Sequence, residues 1–496
     1  MEILAIILAA ALPLRGYHKG RTNLLLVCRT WGNVINTNPS IFWTTLSTED
    51  PPSQHDRLLN KSRQMPLTVY LDDNSADDDS ANYPPSRKLL EDVGSQRLAL
   101  REVVYIGFDS PLVVNMFEAL LFAPAPRLRS LDFLVYGGCT IRAGDSKSQD
   151  AQINSVATPN LTSLSLSGVS IPWSAAVLRG LRSLTLESLG GSRSKSPTLR
   201  ELSVILQGCP DLQYLTLRLV DFCQDDRQEV PITTPLNGLM KINLWGRSVR
   251  PTCDILQHIQ YPRTATLSIM IERLVSEDSW QVDLGVVLSR VTQIWIAAPI
   301  HVEVDRPRLK LSATNFRFNI SSPNEERENT APRITYRKIF STFGAPTLAA
   351  VTSLSIDSIA GANSTAILTA ANEFFPNLTE LSVSPYQRLK SKKPWHKVLE
   401  KVVQSTEEPN RPVWLCPKLT SFKITTANRD CPDLLSILQL VRIRNSDRKS
   451  KGKQVAKSPI TSISMNLDSG RLSPEQLGLL NELKGEIADV RCTVSL

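Results

Sequence analysis

Histidine is scarce in this chain of 496 residues: His18, His55, His258, His301 and His396 are the five, in unrelated local contexts. There is no His-Glu-x-x-His pair and no Gly-x-x-x-x-Gly-Lys-Ser/Thr, Gly-x-Gly-x-x-Gly or Gly-x-Ser-x-Gly loop. The local signatures of zinc peptidases, phosphate cradles and serine hydrolases are therefore missing. Eight cysteines (Cys28, Cys139, Cys209, Cys223, Cys253, Cys416, Cys431 and Cys492) are scattered, with no two separated by two residues. That spacing builds no zinc site, and it suits reduced, buried thiols of the cytosol or nucleus. Aromatic residues make up only 6%, which fits an array of short units better than a bulky enzyme core. No apolar run reaches the ~18 to 20 residues that span a bilayer. The expectation is a chain with no catalytic residue, no metal, no cofactor and no membrane segment.

What remains is a folded composition, 42% hydrophobic and 21% charged, long enough for several domains or a repeat array. The net charge of +8 permits an acidic partner without demanding nucleic acid. The first residues, MEILAIILAAALPL, have the apolar length of a signal peptide, but the only charge ahead of that run is the acidic Glu2. Sequons stand at Asn60, Asn160, Asn319, Asn363 and Asn377. They matter only in a secreted protein, and Asn160 and Asn377 sit in apolar phrases that read as buried.

From Leu24 to Ile35, the residues Leu24, Cys28, Trp31 and Ile35 share one face at helical period, widened by Val27 and Val34. Asn36 to Asn38 break the pattern, and Pro39 can open a short helix carrying Ile41, Phe42, Trp43 and Leu46. Ahead of both, Glu2 to Leu12 is apolar on nearly every side, more surface than short helices can cover for themselves. These stretches, in this order, resemble an F-box of the form that precedes leucine-rich repeats in large fungal families. The matching residues are Glu2, Ile3, Leu4 and Ile7, then Leu24, Val27, Cys28, Arg29 and Trp31, then Pro39, Trp43 and Leu46. The resemblance covers about the first 46 residues. It implies adaptor-binding residues at Glu2, Ile3, Leu4, Ile7, Pro39, Ile41 and Trp43, and a domain core at Leu24, Val27, Cys28 and Trp31. It departs from the family at Met1, which stands where a Leu-Pro pair is usual.

The rest of the chain repeats the phrase apolar-x-x-apolar-x-apolar. It begins at Leu100, Leu128, Leu161, Leu181, Leu212, Leu239, Val291, Val351, Leu378, Leu419 and Ile460, with weaker forms around Leu67 to Leu71, at Leu267 and Ile269, and at Asn315 to Ile320. The last two apolar positions alternate, which predicts a short strand with one buried face. Helical patterns lie between phrases: Ile367, Ala370, Ala371 and Phe374; Leu434, Leu435 and Leu438; and a helix capped by Ser473 with Pro474 in its first turn, carrying Leu477, Leu480, Leu483 and Ile487. Strand plus helix at this period is the pattern of leucine-rich repeats, and a parallel α/β sheet reads similarly. The Asn or Cys usual three residues past the last strand position is replaced by Val169, Leu189 and Val220.

Asp72 to Ser86 reads as an acidic linker, and Gly144–Ser155, Ser321–Arg333 and Arg388–Trp395 as loops. The basic run Arg442 to Pro459, densest over residues 442–457, suits a nuclear signal or a solvated excursion. The reading is an α/β chain: an F-box-like helical domain at 1–48, a linker with a first strand at 49–99, and an irregular leucine-rich-repeat solenoid at 100–496. By resemblance it is the substrate-recognition subunit of an SCF-type cullin-RING ubiquitin ligase, cytoplasmic or nuclear. It would meet a Skp-type adaptor, a cullin scaffold and an unknown protein substrate, while ubiquitin transfer belongs to other subunits. The alternatives are a leucine-rich-repeat scaffold outside ubiquitin chemistry, and a secreted repeat protein with residues 1–14 as its signal.

Overall fold

The computed structural model describes residues 2–12, 17–48, 50–62, 65–72, 99–108, 125–140, 158–173, 178–189, 196–220, 234–272, 300–305, 308–313, 316–321, 340–341, 349–359, 370–385, 402–404, 412–414, 416–424, 434–446, 448–450, 453–455, 459–467 and 473–494, with single residues 114, 116, 120, 222 and 285. The phrase at Val291, Ile367, and the segments 73–86, 144–155, 322–333 and 388–395 lie outside these. The described chain is mixed α/β with parallel sheet. It forms two compact units, 1–246 with 257–265, and 247–256 with 266–496.

The first unit opens with α1 (Glu2–Ala10), α2 (Tyr17–Val27), α3 (Arg29–Thr37), α4 (Pro39–Phe42), β1 (Thr45–Ser47) and α5 (Pro52–Ser62). The strands β2 (Leu67–Asp72), β3 (Leu100–Phe108), β4 (Ser130–Thr140), β5 (Ser163–Ser170) and β6 (Ser183–Glu187) follow. Then come α6 (Leu199–Gln207), β7 (Tyr214–Arg218) and β8 (Lys241–Gly246). Strands β1 to β8 pair in chain order, every pair parallel. Consecutive parallel strands need a crossover between them, so each phrase is one strand and the sequence between phrases is its return path.

The register follows from the phrases. Val69, Val103, Leu131, Leu164, Leu184, Leu215 and Ile242 align as one inward row, and Leu71, Tyr105, Phe133, Leu166, Leu186, Leu217 and Leu244 as the next. Both rows are buried throughout. The residues between them, Ser165 and Thr185 among them, line the opposite face, which is half-buried to exposed along most of its length. Where the resembling family has Asn or Cys, Val169 near the end of β5 and Leu189 and Val220 just past β6 and β7 are buried and prolong the apolar rows. Thr198 and Glu201 close a reciprocal cap on α6, whose Leu202, Ile205 and Leu206 are buried.

In the second unit, β9 (Thr266–Ile271), β10 (Ile300–Asp305), β11 (Arg308–Ala313), β12 (Phe316–Ser321), β13 (Val351–Ile359), β14 (Glu380–Pro385), β15 (Ser421–Ile424), β16 (Ser462–Leu467) and β17 (Asp489–Val494) form sheet. Its helices include α7 (Val249–His258), whose residues to Leu256 belong to this unit, α8 (Leu434–Asn445) and α9 (Pro474–Glu486). Strands β13 to β17 are parallel in chain order, with Leu354, Leu381, Phe422, Ile463 and Val490 in one row. The stretch read as one divergent phrase at Asn315 is the last strand of an antiparallel meander: β10 pairs with β11, β11 with β12, and the outer two join β13 and β9 in parallel.

Threonine stitches this array. Thr379 Oγ1 donates to the Thr352 carbonyl at 3.1 Å, Thr420 to Thr379 at 3.5 Å and Thr461 to Thr420 at 3.4 Å. The matching backbone N–H groups donate to the same three carbonyls. In α8, Leu434 and Leu438 are buried but Leu435 is 51% exposed, because Ile437 and Val441 share the buried face. In α9, Leu480 and Leu483 are buried and Leu477 is exposed. The basic run holds the end of α8 and a short antiparallel pair, Arg448–Ser450 with Lys453–Val455.

Candidate functional site

The helix expected across Leu24 to Ile35 is broken at Cys28, whose backbone is extended at φ −161 and ψ 163. The break divides it into α2 and α3 and disperses the expected core. Leu24 and Trp31 are half-buried, Val27 is 57% exposed and Cys28 is exposed. The core of the block is instead Ala5, Leu8, Tyr17, Arg21, Val34, Ile35, Phe42 and Trp43.

Trp43, which the resemblance places among adaptor contacts, is 2% exposed and so is core rather than contact surface. Its indole N–H donates to the Ile35 carbonyl at 3.3 Å. The Arg21 guanidinium lies 4.2 Å from the ring centre, Lys61 Nζ 3.8 Å and the Arg57 guanidinium 5.5 Å. Arg21 donates to the Phe42 carbonyl at 3.0 Å, and the Tyr17 hydroxyl to the Ile41 carbonyl at 3.1 Å. Burial holds the Arg21 guanidinium below its ordinary pKa, with the Asp50 charge opposing. Lys61 is lowered by burial and by its like-charged neighbours Arg57 and Arg21, and donates to Asn36 Oδ1 at 3.1 Å. Sequence reasoning missed Arg21, since a lone arginine gives no sign that it will lie under a tryptophan.

Of the other expected contact residues, Glu2 and Ile3 are exposed, Ile3 at 75% and Ile7 at 58%, while Leu4, Pro39 and Ile41 are half-buried. Ile6 at 64% and Leu26 at 79%, neither of them predicted, add to the exposed aliphatic surface of α1 and α2. Helices α2 and α5 both pack on β1. Leu46, expected on the Pro39 helix, is a buried residue of β1 because α4 ends at Phe42.

The second surface is the open face of the first unit's sheet. Phe108 and Tyr136, 54% and 43% exposed, sit with ring centres 5.6 Å apart. Toward the other edge Arg218 bridges Glu187 at 2.9 Å and stacks 3.5 Å over Trp245. Asn243 donates to Thr216 at 3.2 Å. No group of His, Cys, Asp and Glu among the described residues is placed to hold a metal ion, and none of the described helices is long and apolar enough to cross a membrane.

No family model matches the chain, and no curated protein matches it either.

Proposed function

We propose that the chain is an F-box-type substrate receptor, with α1 and α2 docking on a Skp-type adaptor of a cullin-RING ubiquitin ligase and the two sets of parallel strands acting as a leucine-rich-repeat solenoid that holds a protein substrate. One observation carries the docking half: Ile3, Ile6, Ile7, Leu26 and Val27 are each more than half exposed on a block otherwise closed around Trp43. Exposed aliphatic side chains in such number on two short helices suit an interaction surface. The repeat half is supported by strand order, since parallel strands laid down one after another suit stacked strand-helix units better than a doubly wound sheet, whose order is shuffled.

The test is capture of adaptor and cullin by the full-length chain. Burying an aliphatic side chain contributes ~1.5 to 3 kcal/mol, so reversing two of them should weaken capture at least ~10-fold. Ile3→Asp with Ile7→Asp makes that change at exposed positions. Capture within twofold of the parent chain, with the fold intact, would end the docking assignment. A second reading has its own support: because α2 and α5 pack on β1, the block also closes the sheet edge. If it were only a cap for a scaffold, no adaptor would be captured by either form.

A further inference from the structure

The second residue of each phrase in the first unit is Arg101, Arg129, Thr162, Arg182, Gln213 and Met240. Backbone hydrogen bonds tie these into one row across the strands: Arg129 N to Arg101 O at 2.8 Å, Thr162 N to Arg129 O at 2.9 Å, Arg182 N to Thr162 O at 2.8 Å, Gln213 N to Arg182 O at 2.8 Å and Met240 N to Gln213 O at 2.8 Å. Arg129 and Arg182 are exposed, and neither side chain has an ion-pair partner among the described residues. One residue further along, Lys241 is exposed in register with Tyr214, Ser183, Ser163 and Ser130. Two acids share this face at its β3–β4 end: Glu102 is half-buried in register with Ser130, and exposed Asp132 lies two residues past Ser130. Toward β6 and β8 the acid Glu187 is bridged to Arg218.

Arg129, Arg182 and Lys241, without an ion-pair partner among the described residues, sit at the N-terminal ends of β4, β6 and β8, on alternate strands. Neighbouring strands are ~4.8 Å apart, so successive cations are roughly 10 Å apart. A polyproline II segment has three residues per turn and ~3.1 Å per residue, so side chains three apart share a side at ~9.3 Å. In a β-strand, residues three apart point to opposite sides. The hydroxyls of Ser130, Ser163 and Ser183 beside the cations add donors, while the Thr162 hydroxyl is held by the Arg129 carbonyl at 3.2 Å.

We propose that this row docks an acidic segment of a partner protein, extended as polyproline II across the strands, with a carboxylate at every third residue meeting Arg129, Arg182 and Lys241. The proposal does not depend on adaptor docking by the helical block.

The experiment measures fluorescence anisotropy of labelled peptides with the full chain. The probe is a (Glu-Pro-Pro) repeat of about twelve residues. It is compared with a peptide of the same composition whose glutamates are clustered at one end, and with a single-stranded oligouridylate. The repeat should bind at least ~10-fold more tightly than the clustered peptide and weaken as salt rises. Arg129→Glu with Arg182→Glu should lose at least ~10-fold, since like charges then face each other. Arg263→Glu, an exposed charge reversal outside the row, should bind as the parent chain does. Equal binding of the clustered peptide, unchanged binding by the double variant, tighter binding of the RNA or no binding of the repeat would each overturn the proposal.

Discussion

Replacing Gly168 by alanine should cost far more stability than the same change at Gly180, although the two backbones are nearly identical. Gly168 has φ 69 and Gly180 φ 71. An L-residue in that left-handed region costs ~1 to 2 kcal/mol, offset by ~0.4 to 1 kcal/mol because alanine has less freedom to lose on folding. At Gly180 nothing lies within 4 Å of the added Cβ, so the net cost there is about 1 kcal/mol. At Gly168 the added Cβ would lie 2.3 Å from the Val135 carbonyl oxygen, 3.4 Å from its carbon and 3.6 Å from Gly138 Cα. All three are backbone of β4, so no side chain can swing aside. Relief requires β5 to part from β4, and leaving one buried hydrogen bond unmade costs ~1 to 3 kcal/mol on top of the strain. We expect Gly168→Ala to cost about 3 kcal/mol or more.

Urea unfolding of the two variants, with hydrogen exchange read at β4 and β5, separates the contributions. If they fall within about 0.5 kcal/mol of each other, the close approach of β4 to Gly168 is wrong. The same register position in the next two strands holds Ser188 and Leu219, at φ 54 and φ 53. Ser188→Gly should therefore be neutral or gain up to about 1 kcal/mol, because strain relief and glycine's added entropy cost nearly cancel.

Leu166→Ala should cost ~2 to 5 kcal/mol and raise hydrogen exchange first around its row neighbours Phe133 and Leu186, with Ile424 responding least; equal loosening of all three would refute nearest-neighbour coupling. Thr379→Val should cost ~0.5 to 1.5 kcal/mol and Thr461→Val less in the same urea assay, since Thr379 donates over 3.1 Å from a half-buried site and Thr461 over 3.4 Å from an exposed one. At pH 9 a maleimide should label exposed Cys28 well before Cys416, which is 1% exposed and whose thiol burial pushes up to about 11. That raised thiol carries a sign: the unfolded thiol ionises first, so its stabilising effect is present below about pH 9 and declines as the pH rises toward about 11.

The strands were legible because their burial is periodic. Every phrase from Leu100 to Leu239 places its three apolar positions where the sheet needs them, and alternation alone fixes which side they face. The helical block was read less well because its organisation depends on contacts distant in sequence. The stripe through Leu24, Cys28 and Trp31 is a valid helical face, yet the chain turns at Cys28 so that Tyr17 and Arg21 of α2 can bond the carbonyls of Ile41 and Phe42. Those carbonyls belong to the end of a four-residue helix, and a buried helix end must find donors somewhere. Arg21 supplies one and covers Trp43 at the same time. The meander from Ile300 to Ser321 was missed for a simpler reason. Its alternation runs through three successive strands, and the phrase read at Asn315 to Ile320 took in only the last of them.

The missing asparagine has a physical answer in the threonines. Val169, Leu189 and Val220 stand where the resemblance led to an expectation of Asn or Cys, and they are buried as core. The second position of the phrase does the bonding. Thr352, Thr379, Thr420 and Thr461 share it, and each of the last three reaches the carbonyl of the one before. Thr162 does the same to Arg129 at 3.2 Å. A hydroxyl at the start of a strand can do this because its carbonyl partner is already held by the adjacent backbone N–H, so one acceptor serves two donors. In the second unit this leaves the second position nearly uniform. In the first unit Thr162 is the one among the described residues that bonds in this way, and the other places in the row are occupied by Arg101, Arg129, Arg182, Gln213 and Met240. The position that stitches one unit is therefore the one that carries charge in the other.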